Sequence, residues 1–341
     1  MYTRRQTLKL TAGVAATLAF DYCLSGRASA QTEGMNNPSA TSRFDPTASE
    51  NAYAVGKVSN FKAIYDDSAR RAAFFLFLKN VYNIYPEDSF HRLIESATQA
   101  GKTDREIYAF VQSRQKSIEP IFSQVRYALP ALARQKGEMA RETVALLGAR
   151  RPIDGYMEIG TTGRYVSRLR SSITFAGDTV LLNAAEPTYS PVDIVERGQL
   201  SKIGRYVPLR DYLPITRADV GDSSLDVVAN FIGFHHSPPD RRDGFVDSVR
   251  RVLRPGGRLI LRDHDVNSVE MNHMVALAHD VFNMGLGAPW DVNQREIRNF
   301  TSVDEISRYL ESRGFRMSKA QRPLLQSGDP THNALLEFVK I

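Results

Sequence analysis

The stretch from Asp222 to Leu261 constrains most what this chain can fold into. It opens with Asp222-Ser223-Ser224-Leu225-Asp226-Val227-Val228-Ala229-Asn230-Phe231-Ile232-Gly233-Phe234-His235-His236, an apolar run with the character of a buried strand. An amphipathic helix follows from Phe245 to Leu253, and then Arg254-Pro255-Gly256-Gly257-Arg258-Leu259-Ile260-Leu261. Pro255 stops the helix, and Gly256-Gly257 supplies a tight turn into a second buried strand. Buried strands alternating with helices predict an open α/β sheet.

The flanking segments extend the alternation. From Gly155 a short apolar strand runs through Tyr156-Met157-Glu158-Ile159 into the turn Gly160-Thr161-Thr162-Gly163 and then a helix. A nucleotide approaches backbone closely only where side chains are absent, and a helix start offers free N–H groups. Thr179–Asn183 reads as the next strand, with Asp178 before it and Glu186 after it. Arg205–Leu209 reads as a third, with Asp211 beyond. Near the end, Ser302-Val303-Asp304-Glu305 is a capping box, with Ile306, Tyr309 and Leu310 on one helical face and Gly314 as the stop. Phe315–Gln321 and Asn333–Lys340 read as two closing strands joined by a loop with Gly328-Asp329-Pro330.

Together these segments resemble the class I S-adenosylmethionine-dependent methyltransferases, specifically the type 11-like group. The Arg-Val-Leu-Arg-Pro-Gly-Gly-Arg-Leu-Ile run ending at Ile260 is the most specific match. The resemblance implies a Rossmann-like seven-stranded sheet closed by an antiparallel pair, and S-adenosyl-L-methionine as cofactor. In that family an acid and a glycine loop wrap the methionine part, which falls on Glu158, Gly160, Thr161, Thr162 and Gly163. The family's ribose-binding acid falls on Glu186, its adenine contact on Asp211, and Asn230 ends the fourth strand as a further cofactor contact. The family loop has three alternate glycines, where this chain offers two around Thr161-Thr162, one residue fewer.

The N-terminus reads as an address. Thr3-Arg4-Arg5 precedes the apolar run Leu10–Phe20, and Ala28-Ser29-Ala30 has the small residues a signal peptidase accepts. This resembles a twin-arginine export signal, which implies the twin-arginine machinery as a partner and an exported, periplasmic protein. The apolar run is too short for a permanent membrane anchor. Cys23 is the only cysteine, so a chain cleaved after Ala30 has no thiol for disulfides or metal ligation. Of the formal charge of +6, the first thirty residues contribute four basic side chains and one acid, leaving +3 elsewhere. That bias does not argue for nucleic acid. Residues 1–30 are thus the signal, 31–50 a polar leader, 51–150 a helical cap region and 151–341 the nucleotide-binding domain.

Within the helical region, Pro86 starts a helix with Phe90, Leu93 and Ile94 at helical spacing, and Thr103-Asp104-Arg105-Glu106 is a capping box before Ile107, Phe110 and Val111. Helical segments are predicted at Ile121–Leu132 and Lys136–Leu147.

Methyl transfer needs an oriented acceptor and, for an oxygen nucleophile, a proton acceptor. Ligands of open α/β sheets bind at the carboxyl ends of the strands, where His236, Asp263, His264 and Asp265 are the catalytic candidates. His264 between two carboxylates is expected to be a base of raised pKa. Its alternative, a metal site with His273 or His279, is the weaker reading, and no metal is expected. For His235 the resemblance implies packing or capping of the next helix. Trp290, His279, Asp280, Asn283, Asn293, Glu296 and Arg298 fall in an insertion that lines an acceptor pocket. The expected function is O- or N-methylation of a small-molecule or cell-envelope acceptor. The alternatives are an exported non-catalytic binding protein with the same fold and an NAD-dependent oxidoreductase.

Overall fold

A seven-stranded sheet in the order β3-β2-β1-β4-β5-β7-β6 organises the chain. The computed structural model describes residues 58–120, 127–148, 152–323 and 328–341; the segments read from sequence as export signal and leader, and residues 121–126, lie outside the described residues. The strands are β1 (Ile153–Ile159), β2 (Phe175–Asn183), β3 (Arg205–Pro208), β4 (Leu225–Asn230), β5 (Leu253–His264), β6 (Phe315–Pro323) and β7 (Asn333–Lys340). β1 to β5 pair parallel, whereas β7 runs antiparallel to both β5 and β6. The strands of the centre are apolar almost throughout because helices cover both faces.

The helices are α1 (Asn60–Tyr65), α2 (Ser68–Phe77), α3 (Glu87–Ala100), α4 (Asp104–Ile118), α5 (Leu129–Leu147), α6 (Val166–Leu169), α7 (Pro191–Arg197), α8 (Pro239–Val252), α9 (Val269–Gly285), α10 (Trp290–Asn293) and α11 (Val303–Ser312). Both predicted capping boxes form, at Thr103 for α4 and Ser302 for α11. Each hydroxyl takes an N–H of the first turn that the helix cannot satisfy itself, worth about 1 kcal/mol.

Three apolar clusters hold the layers. On one face of the sheet, Phe245, Val249 and Val252 of α8 and Ile306 and Leu310 of α11 pack on β1, β4 and β5. On the other, Met139 and Leu147 of α5 and Val166 and Leu169 of α6 pack on the same strands. The third cluster joins α1 to α4, through Phe61, Phe74, Phe90 and Ile107, to Leu277, Val281 and Met284 of α9. The N-terminal helices therefore complete their core only with a helix inserted after β5.

Several expected boundaries shift. β2 begins at Phe175, so Asp178 lies inside the strand, where its carboxylate pairs with Arg205 at 2.7 Å. α8 starts at Pro239, six residues before the predicted Phe245, because proline suits a first turn that has no N–H partners to lose. It ends at Val252, since Leu253 already pairs with Leu225 before the Pro-Gly-Gly turn is reached. Helix α5 is one continuous helix across 129–147 rather than two segments. The helix after the glycine turn is a single turn, Val166–Leu169.

Candidate active site

Gly233 sets the geometry at the end of β4. It has φ 108°, and a Cβ there would lie 2.4 Å from the His235 ring, so only glycine lets the chain fold over that imidazole. The turn Phe234–His236 that follows is pinned by Asp263 at the end of β5. One Asp263 oxygen accepts the backbone N–H groups of Phe234 and His235 at 2.7 and 3.0 Å. The other accepts the His264 N–H at 2.8 Å and faces His235 Nδ1 at 2.6 Å. Burial alone would raise the Asp263 pKa, but the His235 ring and its hydrogen bond hold it well below the usual carboxylate range. An ionised carboxylate only accepts, so His235 Nδ1 carries the proton and Nε2 the lone pair.

The same tautomer recurs around it. His264 Nδ1 donates to the Thr331 carbonyl at 2.8 Å and His236 Nδ1 to that of Ile297 at 3.1 Å. His279 on α9 turns Nδ1 toward Glu296 at 3.6 Å. These four buried rings lie together: His235 is 4.1 Å from His236, 5.0 Å from His279 and 5.6 Å from His264 between ring centroids, with Phe300 against three of them. Desolvation lowers the pKa of all four, to about 4 for His236. All four imidazoles are neutral at physiological pH.

This corrects the expectation for His264. Its pKa is pushed down by burial, not raised, because its ring faces a carbonyl and other imidazoles rather than the neighbouring carboxylates. Asp263 serves His235 instead, and Asp265 Oδ1 accepts the Val303 N–H at the start of α11. His273 stands apart, with Nδ1 at 2.9 Å from Asn60 Oδ1. His235, read from sequence as a packing residue, is the centre of the cluster. Its signal was the His-His pair itself at the carboxyl end of a strand, opposite an Asp-His pair.

A second layer supports the first. Arg298 donates to Glu296 at 2.8 Å and to Asp280 at 2.7 Å, which hold its guanidinium firmly protonated despite burial. Asn283 donates to Glu296 at 3.0 Å, and Asn293 to Asp280 at 2.7 Å. Asn60 of α1 reaches the other Asp280 oxygen at 3.2 Å. Next to this network opens a cavity of about 680 Å³ lined by Asn60, Asp104, Asp280, Trp290, Glu296 and Arg298. Of the insertion residues singled out in the sequence, Asp280, Trp290, Asn293, Glu296 and Arg298 line this cavity, whereas His279 and Asn283 do not.

The loop after β1 is the other half of the site. Glu158 accepts from Tyr156 Oη at 3.0 Å, from the N–H groups of Tyr165 and Val166 at 3.1 and 2.7 Å, and from Thr161 Oγ1. It organises the turn and caps α6 in the same contacts. Gly160 and Gly163 have positive φ, and residues 160–166 are all buried. Thr162 Oγ1 is buried with no hydrogen-bond partner among the described residues. Asn230 Oδ1 accepts the Ile232 N–H at 3.2 Å. Glu186 is exposed beyond β2 and paired with Lys202 at 2.9 Å. Asp211 pairs with Arg241 and sits amid three consecutive left-handed residues, Arg210, Asp211 and Tyr212. Such backbone costs roughly 1–2 kcal/mol per residue, and strain of this kind gathers where ligands bind.

Five parallel strands with β1 next to β4 at the switch point, closed by an antiparallel β7, match the arrangement that the resemblance implied. The fold is that of the class I methyltransferases. The sequence model of a family described as a methyltransferase domain matches residues 210–261, from the left-handed turn through β4 and α8 into β5. Comparison with curated proteins finds no match. Solved structures similar to this chain include the 1,6-didemethyltoxoflavin-N1-methyltransferase of Burkholderia thailandensis with 1,6-didemethyltoxoflavin and S-adenosylhomocysteine bound, at 14% identity over 70% of this chain and 92% of that one, with a TM-score of 0.42. The CurJ carbon methyltransferase is 12% identical over 99% of this chain and 94% of that one, TM-score 0.45. A SAM-dependent methyltransferase from Aquifex aeolicus is 12% identical over 67% and 98%, TM-score 0.40.

Proposed function

We propose that this protein is an exported S-adenosylmethionine-dependent methyltransferase acting on a small-molecule or cell-envelope acceptor, by O- or N-methylation. The observation that carries the reading is the pairing, across the switch point of one such sheet, of a glycine turn after β1 with buried neutral imidazoles after β4 and β5.

One buried atom of the turn favours the cofactor. The turn Gly160–Gly163 would hold its methionine end, where Thr162 Oγ1 is a buried polar atom in need of a partner. Glu186 would take the ribose hydroxyls, and Asp211 and Asn230 would flank the adenosyl group. When bound, the cofactor supplies an activated methyl group. The chain's own residues orient the acceptor and take its proton. His264 Nε2 is the lone pair available for that proton, because its Nδ1 is committed to the Thr331 carbonyl. Burial makes it a weak base, so it suits an acceptor hydroxyl that ionises easily.

A second reading, a binding protein without chemistry, is favoured by the loop itself. The side-chain space beside Gly160 is filled by Ile232, and the loop is buried rather than open. Calorimetric titration of the full chain with S-adenosylmethionine, S-adenosylhomocysteine and NAD separates these readings. Binding of both adenosyl ligands, weakened about tenfold by Asp211→Asn, is expected, since a charged hydrogen bond is worth about 1.5–3 kcal/mol. Asparagine keeps the left-handed backbone and removes only the charge. No binding at millimolar ligand would defeat the methyltransferase reading, and tight NAD binding would favour an oxidoreductase. Export is checked by cell fractionation, with Arg4→Lys and Arg5→Lys together expected to retain the protein inside.

A further inference from the structure

The imidazole cluster is expensive as packing. A buried ring nitrogen without a partner costs about 1–3 kcal/mol, and His235 Nε2 has no hydrogen-bond partner among the described residues. We propose that His235, His236 and His279 form a binding site for a divalent late first-row transition metal of the zinc class, held through their Nε2 atoms.

Three observations converge. One nitrogen of each of the three rings lies within 4.8 Å of those of the other two. Tetrahedral zinc with nitrogen ligands at about 2.0–2.1 Å needs these atoms roughly 3.3 Å apart, which small ring rotations supply. Each Nδ1 is committed outward, to Asp263, to the Ile297 carbonyl and toward Glu296, which directs the lone pairs inward. A carboxylate or carbonyl behind each imidazole is the arrangement that fixes tautomer and raises basicity in metal-ligating histidines. The charges also suit a cation. Glu296 is matched by Arg298, whereas among the described residues the hydrogen bonds of Asp263 come from the His235 ring and backbone N–H groups, with Arg242 acting on its charge without a hydrogen bond. Its buried negative charge stands one ring away from the proposed ion.

Three imidazoles and no thiolate select zinc, cobalt, nickel or copper over magnesium or calcium, which take oxygen ligands. With three protein ligands, a fourth position stays open, as in catalytic rather than structural sites. His264 lies outside the three-nitrogen set and retains its lone pair for the acceptor's proton. On the methyl-transfer reading, a metal here would lower the pKa of a bound acceptor hydroxyl. The metal titration stands apart from that reading, since it needs no adenosyl ligand.

The test uses the full chain stripped with EDTA and titrated with ZnCl2 and CoCl2. About one equivalent of zinc should remain after dialysis, and CoCl2 should give the visible absorption of a low-symmetry, four-coordinate nitrogen site. His235→Gln and His279→Gln should each weaken binding at least about tenfold, and Asp263→Asn about 10–100-fold through the ligand it orients. Should those variants fail to fold, parent protein decides: ZnCl2 should raise its Tm with concentration, and the Nε2 resonances of labelled histidine should shift. Zinc below about a tenth of an equivalent with no cobalt absorption at millimolar CoCl2 overturns the proposal, as do folded variants that bind like the parent. An unchanged Tm with unchanged histidine resonances overturns it equally.

Discussion

Asp263 and His235 are the joint on which the acceptor side of the site turns. A single buried carboxylate receives the His235 ring at 2.6 Å and three backbone N–H groups from two strands' ends. Asp263→Ala removes the acceptor but leaves those donors buried. Each orphaned donor costs about 1–3 kcal/mol, so the variant should lose about 3–5 kcal/mol in urea unfolding. A loss below about 1 kcal/mol would show that water or another group replaces the carboxylate readily.

Lys136 gives the pH dependence a definite sign. Burial lowers its pKa to about 8, aided by Arg164 and opposed by Glu196 and Glu158, while its ammonium donates to the Glu196 carbonyl. The folded state then binds fewer protons than the unfolded chain from about pH 8 to about pH 10.4, the ordinary lysine value. Stability from this group therefore rises with pH across that window, and its full cost is present below pH 8. In Lys136→Met the rise should vanish. Urea midpoints of parent and variant between pH 7 and 10 check it, and parallel curves would refute the assignment.

The sequence carried the fold further than the site, for physical reasons. Strand β7 was legible to the residue, and the capping boxes at Thr103 and Ser302 formed as read, because these depend on short-range pattern. The boundary of β2 was missed because Ala176, Gly177 and Asp178 are exposed and form no apolar run, although Phe175 and Ala176 already pair with Ile153 and Asp154 of β1. The place of His235 at the centre of the ring cluster was not legible, because it comes from pairing with Asp263, 28 residues away in sequence. The direction of the His264 pKa failed for the same reason. Adjacent acids in a strand point to opposite faces, so sequence neighbours need not be electrostatic neighbours. Arg164 and Glu196 gave no signal at all, since the ion pair joins the turn after β1 to helix α7, 32 residues away in sequence.

That pair supports a prediction on buried charge. Arg164 gives Nε and Nη2 to one oxygen of Glu196 at 2.9 and 2.7 Å, with both side chains almost wholly buried. Glu196→Ala leaves a guanidinium without its counter-charge and should cost about 3–5 kcal/mol. The double change Arg164→Met with Glu196→Leu should cost much less, because it removes both desolvated charges at similar volume. Thermal unfolding of the three variants measures the coupling. Equal losses for single and double changes would mean that packing, and not charge, holds the turn against α7.

The glycine turn can be tested without any ligand. A Cβ on Gly160 would stand 2.2 Å from Ile232 Cδ1 and 2.8 Å from its Cγ1, on a backbone at φ 77°. Gly160→Ala should therefore cost about 2–4 kcal/mol, part from the left-handed backbone and part from overpacking. Ile232→Ala deletes the three side-chain atoms that the new methyl would strike. In that background Gly160→Ala should cost only the backbone share, about 1–2 kcal/mol. The difference between the two backgrounds is a coupling energy read directly from a double-mutant cycle. Strict additivity would mean that Ile232 moves aside freely, and that the space beside Gly160 is open to a ligand rather than filled by the chain.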